Sequence, residues 1–237
     1  MEKTNPEATP GTSQHGQRIA FFGGSFDPPH LGHLAVARAA RSALQLDEIL
    51  FAPVGVQPLK ERSQTSYEDR VSMTELAIAG DAGFRISLVD RPRPARAPNY
   101  TIDTLEKLRQ SLAAGTELFC LMGADSLVNL RLWHRASEIP FAATLIVASR
   151  PGESLAGLAA LLPSGITVSS AQSREGVLQT YTLESARGER AELHLLVGLH
   201  VDIRATDLRS SLPQRSREGS LVPTAVEAYI HDHGLYR

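Results

Sequence analysis

The sequence predicts an α/β protein built on a doubly wound parallel sheet, and three observations carry that prediction. Short apolar runs of strand length alternate along the chain with helical segments, the runs are continuous enough to suit strands buried on both faces, and several end in glycine-containing loops. Such alternation implies βαβ units and a parallel sheet covered by helices on both sides. Ligands of these sheets bind beyond the carboxyl ends of the strands, where the strand order reverses. The loops at Gly23, Val54 and Gly123 all leave carboxyl ends and are expected to converge on one site.

The elements follow in order. Residues 19–22 form the first strand and run into Gly23 and Gly24, which permit close backbone approach. From Leu31 the pattern becomes helical, with Arg38, Arg41, Ser42 and Gln45 as a polar stripe and Leu34, Ala35, Ala39, Ala43 and Leu44 turned inward. Residues 49–54 read as the second strand, followed by a Gly/Pro-containing loop through Pro58 and a helix over 67–79. A strand over 84–88 precedes the proline-interrupted stretch 91–98, a surface loop whose three arginines read as solvated. Residues 101–114 form a helix with Ile102, Leu105, Leu108 and Leu112 inward, and Thr101 is a candidate N-cap. Strands over 118–122, 143–148 and 193–199 complete the pattern. The stretch between Gly152 and Asp202 is longer and less regular than the alternation needs, and an insertion on one edge is expected within 153–201. Pro223 opens a helix that would pack Val226, Tyr229 and Ile230 on the sheet.

Composition narrows the classes. A chain of 237 residues, 42% hydrophobic and 21% charged, buries one sizeable core, so residues 18–237 are expected to form a single domain. The net charge of −2 lacks the basic field of a nucleic-acid binder. No stretch approaches the roughly 18 apolar residues of a membrane span. Cys120 is the only cysteine, which excludes an intramolecular disulfide and fits a reducing, cytoplasmic compartment; its apolar neighbours place it in the core. Residues 1–17 are rich in Thr, Pro, Gly, Gln and Ser, lack the apolar stretch of a secretory signal and read as a disordered leader. The oligomeric state is left open.

The chemistry concentrates in residues 21–34, Phe-Phe-Gly-Gly-Ser-Phe-Asp-Pro-Pro-His-Leu-Gly-His-Leu, where a strand meets a helix through a glycine turn. His30 and His33 stand at the helix start, where unsatisfied N–H groups and the positive end of the dipole attract an anion. Three residues apart, they share one face. Imidazole donates to phosphate oxygens and gains positive charge near neutral pH, which suits phosphoryl or nucleotidyl transfer. The run is neither a Walker loop nor a G-x-G-x-x-G fingerprint. A zinc pair is the competing reading, but no cysteine or third histidine is suitably spaced, and no metal-ligand set is expected. Asp125, two residues beyond Gly123, either caps the next helix or holds a ligand.

Residues 23–33 resemble the signature of nucleotidyltransferases that share a His-x-Gly-His motif, and the Asp-Pro-Pro-His form is similar to that of nicotinate-nucleotide adenylyltransferases. Further segments agree in order: Ser-Tyr-Glu-Asp-Arg at 66–70, Tyr-Thr-Ile-Asp-Thr-Leu at 100–105, Met-Gly-Ala-Asp-Ser at 122–126, Trp133, Arg-Pro-Gly at 150–152, Tyr229-Ile230 and Gly-Leu-Tyr at 234–236. The resemblance spans residue 18 to the end. It implies a Rossmann-like nucleotidyltransferase fold and transfer of the AMP part of ATP to nicotinate mononucleotide, giving deamido-NAD and pyrophosphate in NAD biosynthesis. Another adenylyl- or cytidylyltransferase of the superfamily, or a nucleotide-sensing module without turnover, are the alternatives.

The resemblance also assigns residues. It implies catalytic roles for His30, His33 and Arg209, and ATP binding by Gly23, Gly24, Ser25, Phe26, Thr206 and Arg209. It implies nicotinate mononucleotide binding by Lys60, Tyr100, Thr101, Asp125 and Trp133, with the indole stacked on the pyridine ring; core packing is the other reading of Trp133. His134 follows where an aromatic residue is common, and its role is open. Magnesium would be carried mainly by ATP phosphates and water. Two segments depart from the pattern. Leu59 stands where the family often has histidine before Lys60, and Arg204 and Ala205 replace two serines of the second phosphate motif while Thr206 and Arg209 keep their places. A helix start binds anions through backbone N–H groups, so that site need not be lost.

Overall fold

The computed structural model describes residues 16–59, 63–149, 157–174, 178–198, 208 and 221–237. Strands β1 (Arg18–Gly24), β2 (Glu48–Pro53) and β3 (Phe84–Ile86) alternate with helices α1 (Leu31–Leu44) and α2 (Tyr67–Ile78). Helix α3 (Thr101–Ser111) leads to β4 (Glu117–Gly123), α4 (Ala124–Val128), α5 (Ile139–Ala142) and β5 (Thr144–Ala148). Then come α6 (Leu158–Leu161), β6 (Ile166–Arg174), β7 (Leu178–Ser185), β8 (Arg190–Leu196) and α7 (Thr224–Asp232).

The eight strands of the described residues form one sheet in the order β3-β2-β1-β4-β5-β8-β7-β6. The pairings from β3 through to β8 are parallel, as expected, whereas β7 and β6 add an antiparallel edge. A short turn at Gly188 (φ +80°) joins β7 to β8, a connection open only to antiparallel neighbours. From β1 the chain winds one way to β2 and β3, then returns across β1 to β4. The order therefore reverses between β1 and β4, and their carboxyl ends, Gly24 and Gly123, open at the same end of the sheet.

Successive side chains of a strand point to opposite faces, and this builds two cores. Phe119 and Leu121 of β4 join one cluster with Leu34 of α1, Met73 of α2 and Val226 of α7. Leu118, Cys120 and Met122 join the other, with Ile102 and Leu105 of α3, Leu127 of α4 and Ile139 of α5. The interior of this second layer pushes the Cys120 thiol up to about 12, so it stays protonated and serves as packing. Among the described residues no helix is long and apolar enough to cross a membrane.

Three local expectations are corrected. The inward stripe of α1 is Leu34, Ala37, Ala40 and Leu44, while Ala35 and Ala39 are half-buried and Ala43 is exposed. Steps of three and four from Leu34 to Leu44 pass through Ala37 and Ala40, so the leucines set which alanines face the sheet. The N-cap of α3 is Tyr100, in extended conformation, and Thr101 is the first helical residue. The cap of α4 is Gly123, which places Asp125 in the helix's first turn.

Candidate active site

The site grows from the end of β1. After Gly24 the backbone turns at Phe26 (φ +48°), passes a cis Asp27-Pro28 peptide, and reaches His30, the extended N-cap of α1 (φ −136°, ψ 168°). The His30 backbone N–H donates to His33 Nδ1 at 3.1 Å, and His33 N–H donates to the His30 carbonyl at 2.9 Å. This reciprocal pair has a chemical consequence. With Nδ1 accepting, the neutral His33 ring carries its proton on Nε2, which is then a donor. The two imidazoles stack with centroids 3.7 Å apart and 26° between planes. His33 also makes edge contacts to Phe26 (4.9 Å) and Phe22 (6.0 Å). His30 is buried and His33 half-buried.

The loops around this pair are cross-tied. Val54 N–H donates to the Gly24 carbonyl at 2.9 Å, and the Ser25 hydroxyl donates to Gln57 Oε1 at 3.0 Å. Arg70 of α2, only 2% exposed, donates through Nη1 to the Ser25 carbonyl at 2.7 Å and through Nη2 to the Val54 carbonyl at 2.8 Å. Burial holds this guanidinium below its ordinary pKa, and the neighbouring Asp27 charge pulls the other way. Asp27, also buried, accepts from Gln64 N–H (2.8 Å), the Thr65 hydroxyl (2.7 Å) and the Tyr236 hydroxyl (2.5 Å).

The loop after β2 is tied in turn to the segment before α3. Gly55 N–H donates to the Asp90 carbonyl at 2.8 Å, and Val56 exchanges hydrogen bonds with Asn99. Glycine is required at 55, because a Cβ there would lie 2.6 Å from the Pro92 backbone. The buried Asp90 carboxyl accepts the Thr104 hydroxyl; burial raises its pKa and that hydrogen bond lowers it. Thr104 also reaches the Tyr100 carbonyl. A continuous chain of hydrogen bonds and backbone thus runs from the glycine turn to Tyr100. There the Tyr100 and His134 rings lie 4.3 Å apart at 32°, which gives His134 a place beside the other aromatics. Trp133 is half-buried and, like Tyr100, packs on the α3 side of the sheet. Asp125 is exposed at the start of α4, beside Gly123, where a Cβ would meet no atom within 4 Å.

The cytidylyltransferase-like family matches residues 21–210. A probable nicotinate-nucleotide adenylyltransferase of Solibacter usitatus is 35% identical over 92% of this chain and 99% of its own length. Another, of Roseiflexus sp., is 38% identical over 92% and 98%. The chain belongs to the nicotinate-nucleotide adenylyltransferase family. Solved structures agree in fold: Plasmodium falciparum nicotinic acid mononucleotide adenylyltransferase complexed with NaAD superposes with a TM-score of 0.67 at 15% identity, covering 93% of this chain and 97% of that one. A putative nicotinate-nucleotide adenylyltransferase from Vibrio parahaemolyticus gives 0.55 at 19%, covering 90% and 99%. The fold is the Rossmann-like nucleotidyltransferase fold.

Within this adenylyltransferase, Gly23, Gly24, Ser25, Phe26, His30 and His33 lie together at one strand end, and Tyr100, Thr101, Trp133 and Asp125 lie on the α3 and α4 side of the same sheet. Lys60, Arg204, Ala205, Thr206 and Arg209 lie outside the described residues. Arg70, Asp27 and Asn99 join the site through contacts that the sequence pattern does not announce. The sole signal for Arg70 in the sequence is its place in the Ser-Tyr-Glu-Asp-Arg segment.

Proposed function

We propose that this chain carries out the family's adenylyl transfer with the phosphate of nicotinate mononucleotide attacking the α-phosphorus of ATP in line. The new phosphoanhydride forms as the bond to pyrophosphate breaks, without a covalent enzyme intermediate. The His33 geometry carries this reading: an Nε2 donor is held at a helix start beside the glycine turn. His30, the backbone of residues 23–26, Thr206 and Arg209 bind the triphosphate and neutralise the leaving pyrophosphate. Lys60, Tyr100, Thr101, Asp125 and Trp133 hold nicotinate mononucleotide. Magnesium would arrive as part of its ATP complex, held mainly by triphosphate oxygens and water.

Purified protein supplied with magnesium, ATP and a panel of acceptors is expected to form deamido-NAD and pyrophosphate in equal amounts. Preferential use of CTP, or of a different acceptor, would move it to another branch of the superfamily; ATP binding without pyrophosphate would make it a sensor. For Trp133→Ala, loss of ring stacking is expected to raise the KM for nicotinate mononucleotide about five- to a hundred-fold, since base stacking is worth roughly 1–3 kcal/mol. ATP affinity should stay close to the parent. An unchanged acceptor KM with a lowered Tm would make the indole a packing residue.

A further inference from the structure

We propose that Asp27 and Tyr236 form a latch through which residues 221–237 set the position of the phosphate-binding turn, Tyr236 being a positioning residue for the adenylyl transfer proposed above, on which this inference rests. Two anchors support it, one on each side of His30. Before it, the Tyr236 hydroxyl donates to Asp27 Oδ1 at 2.5 Å, a short contact of the charge-assisted kind. After it, the first helical residue of α1, Leu31, donates its N–H to the Leu221 carbonyl at 2.8 Å. Both partners come from the same segment, whose Tyr229 also donates to Asp69 of α2 at 3.0 Å.

The backbone at the latch is strained in a way that calls for an external hold. Tyr236 adopts φ +59° and Phe26 φ +48°, both in the left-handed region that bulky side chains avoid. Asp27 is 3% exposed and takes donors from Gln64 and Thr65 as well, so its carboxylate is the point where three chain segments meet. Only Pro28 and Pro29 separate it from His30, and proline rings fix φ, so a shift at Asp27 carries forward to the histidines. Small displacements of catalytic groups are costly: about 1 Å can lower a rate by about 10²-fold.

The test compares the parent, Tyr236→Phe, Asp27→Asn and the double variant. Phenylalanine keeps the ring against the core and removes one donor. Expected for Tyr236→Phe are Mg-ATP affinity weakened at least about threefold by titration calorimetry and kcat lowered about tenfold, with a parental circular-dichroism spectrum, because the loop is displaced but not unfolded. The double variant should be no worse than Asp27→Asn alone. An Mg-ATP affinity equal to the parent's overturns the latch, as do multiplicative effects in the double variant or a fall in kcat matched by an equal loss of folded protein. A parent that binds Mg-ATP but forms no deamido-NAD overturns the adenylyltransferase reading alone, since the affinity comparison still judges the latch.

Discussion

His33→Ala is expected to lower turnover by about 10²-fold or more, the usual cost of removing one preorganised donor to developing charge. The expectation rests on His33 Nδ1 being occupied by the His30 N–H, which places the remaining proton on Nε2. ATP affinity should change far less, because backbone N–H groups of the turn and helix start supply ground-state binding. Single-turnover rates at saturating ATP, set beside equilibrium ATP affinities, separate the two effects. A parental rate would remove His33 from the transition state. His30→Ala should show a larger loss of binding, since His30 is buried just ahead of the helix and stacks on His33.

The second large effect is structural. Arg70→Met leaves the Ser25 and Val54 carbonyls without their guanidinium donors in a buried position. Hydrogen bonds to charged groups contribute roughly 1.5–3 kcal/mol each, so losing these two is expected to cost about 3–6 kcal/mol. For a domain of this size that corresponds to a Tm lower by roughly 6–24 °C. Lysine at 70 should fall between, since an ammonium can reach one carbonyl well but lacks the fork that serves both. Thermal and urea unfolding of the three proteins measure this; a methionine variant within about 2 °C of the parent would show that the loops hold each other without Arg70.

Legibility followed the type of signal. Strands β1, β2, β4 and β5 are continuous apolar runs, and such runs announce burial on two faces without further context. The histidine pair was legible because three-residue spacing at a helix start puts two rings on one face, and the rings do stack. Arg70 was hidden, because one arginine in a polar helical segment looks solvated until the loops that bury it are in place. The alanines of α1 are so numerous that more than one inward stripe fits them, and the contact with the sheet decides among these. The edge hairpin of β6 and β7 reads as irregular because its sequence is largely polar and most residues of β7 are half-exposed, which weakens the apolar pattern. Tyr236 is far from Asp27 in sequence, and no local pattern links them. The reading of Lys60, Thr206 and Arg209 rests on sequence alone.

The two rims of the sheet bear on how the folded protein behaves when crowded. One rim is β3, only three residues long. The other is β6, whose pairing with β7 shifts register between Ser169 and Gln172. A short rim and an irregular one are both poor templates for strand addition from a neighbouring molecule. Sheet-to-sheet polymerisation of the native protein is thereby discouraged at both ends, and fibrous self-association has to wait for unfolding to expose the long inner strands.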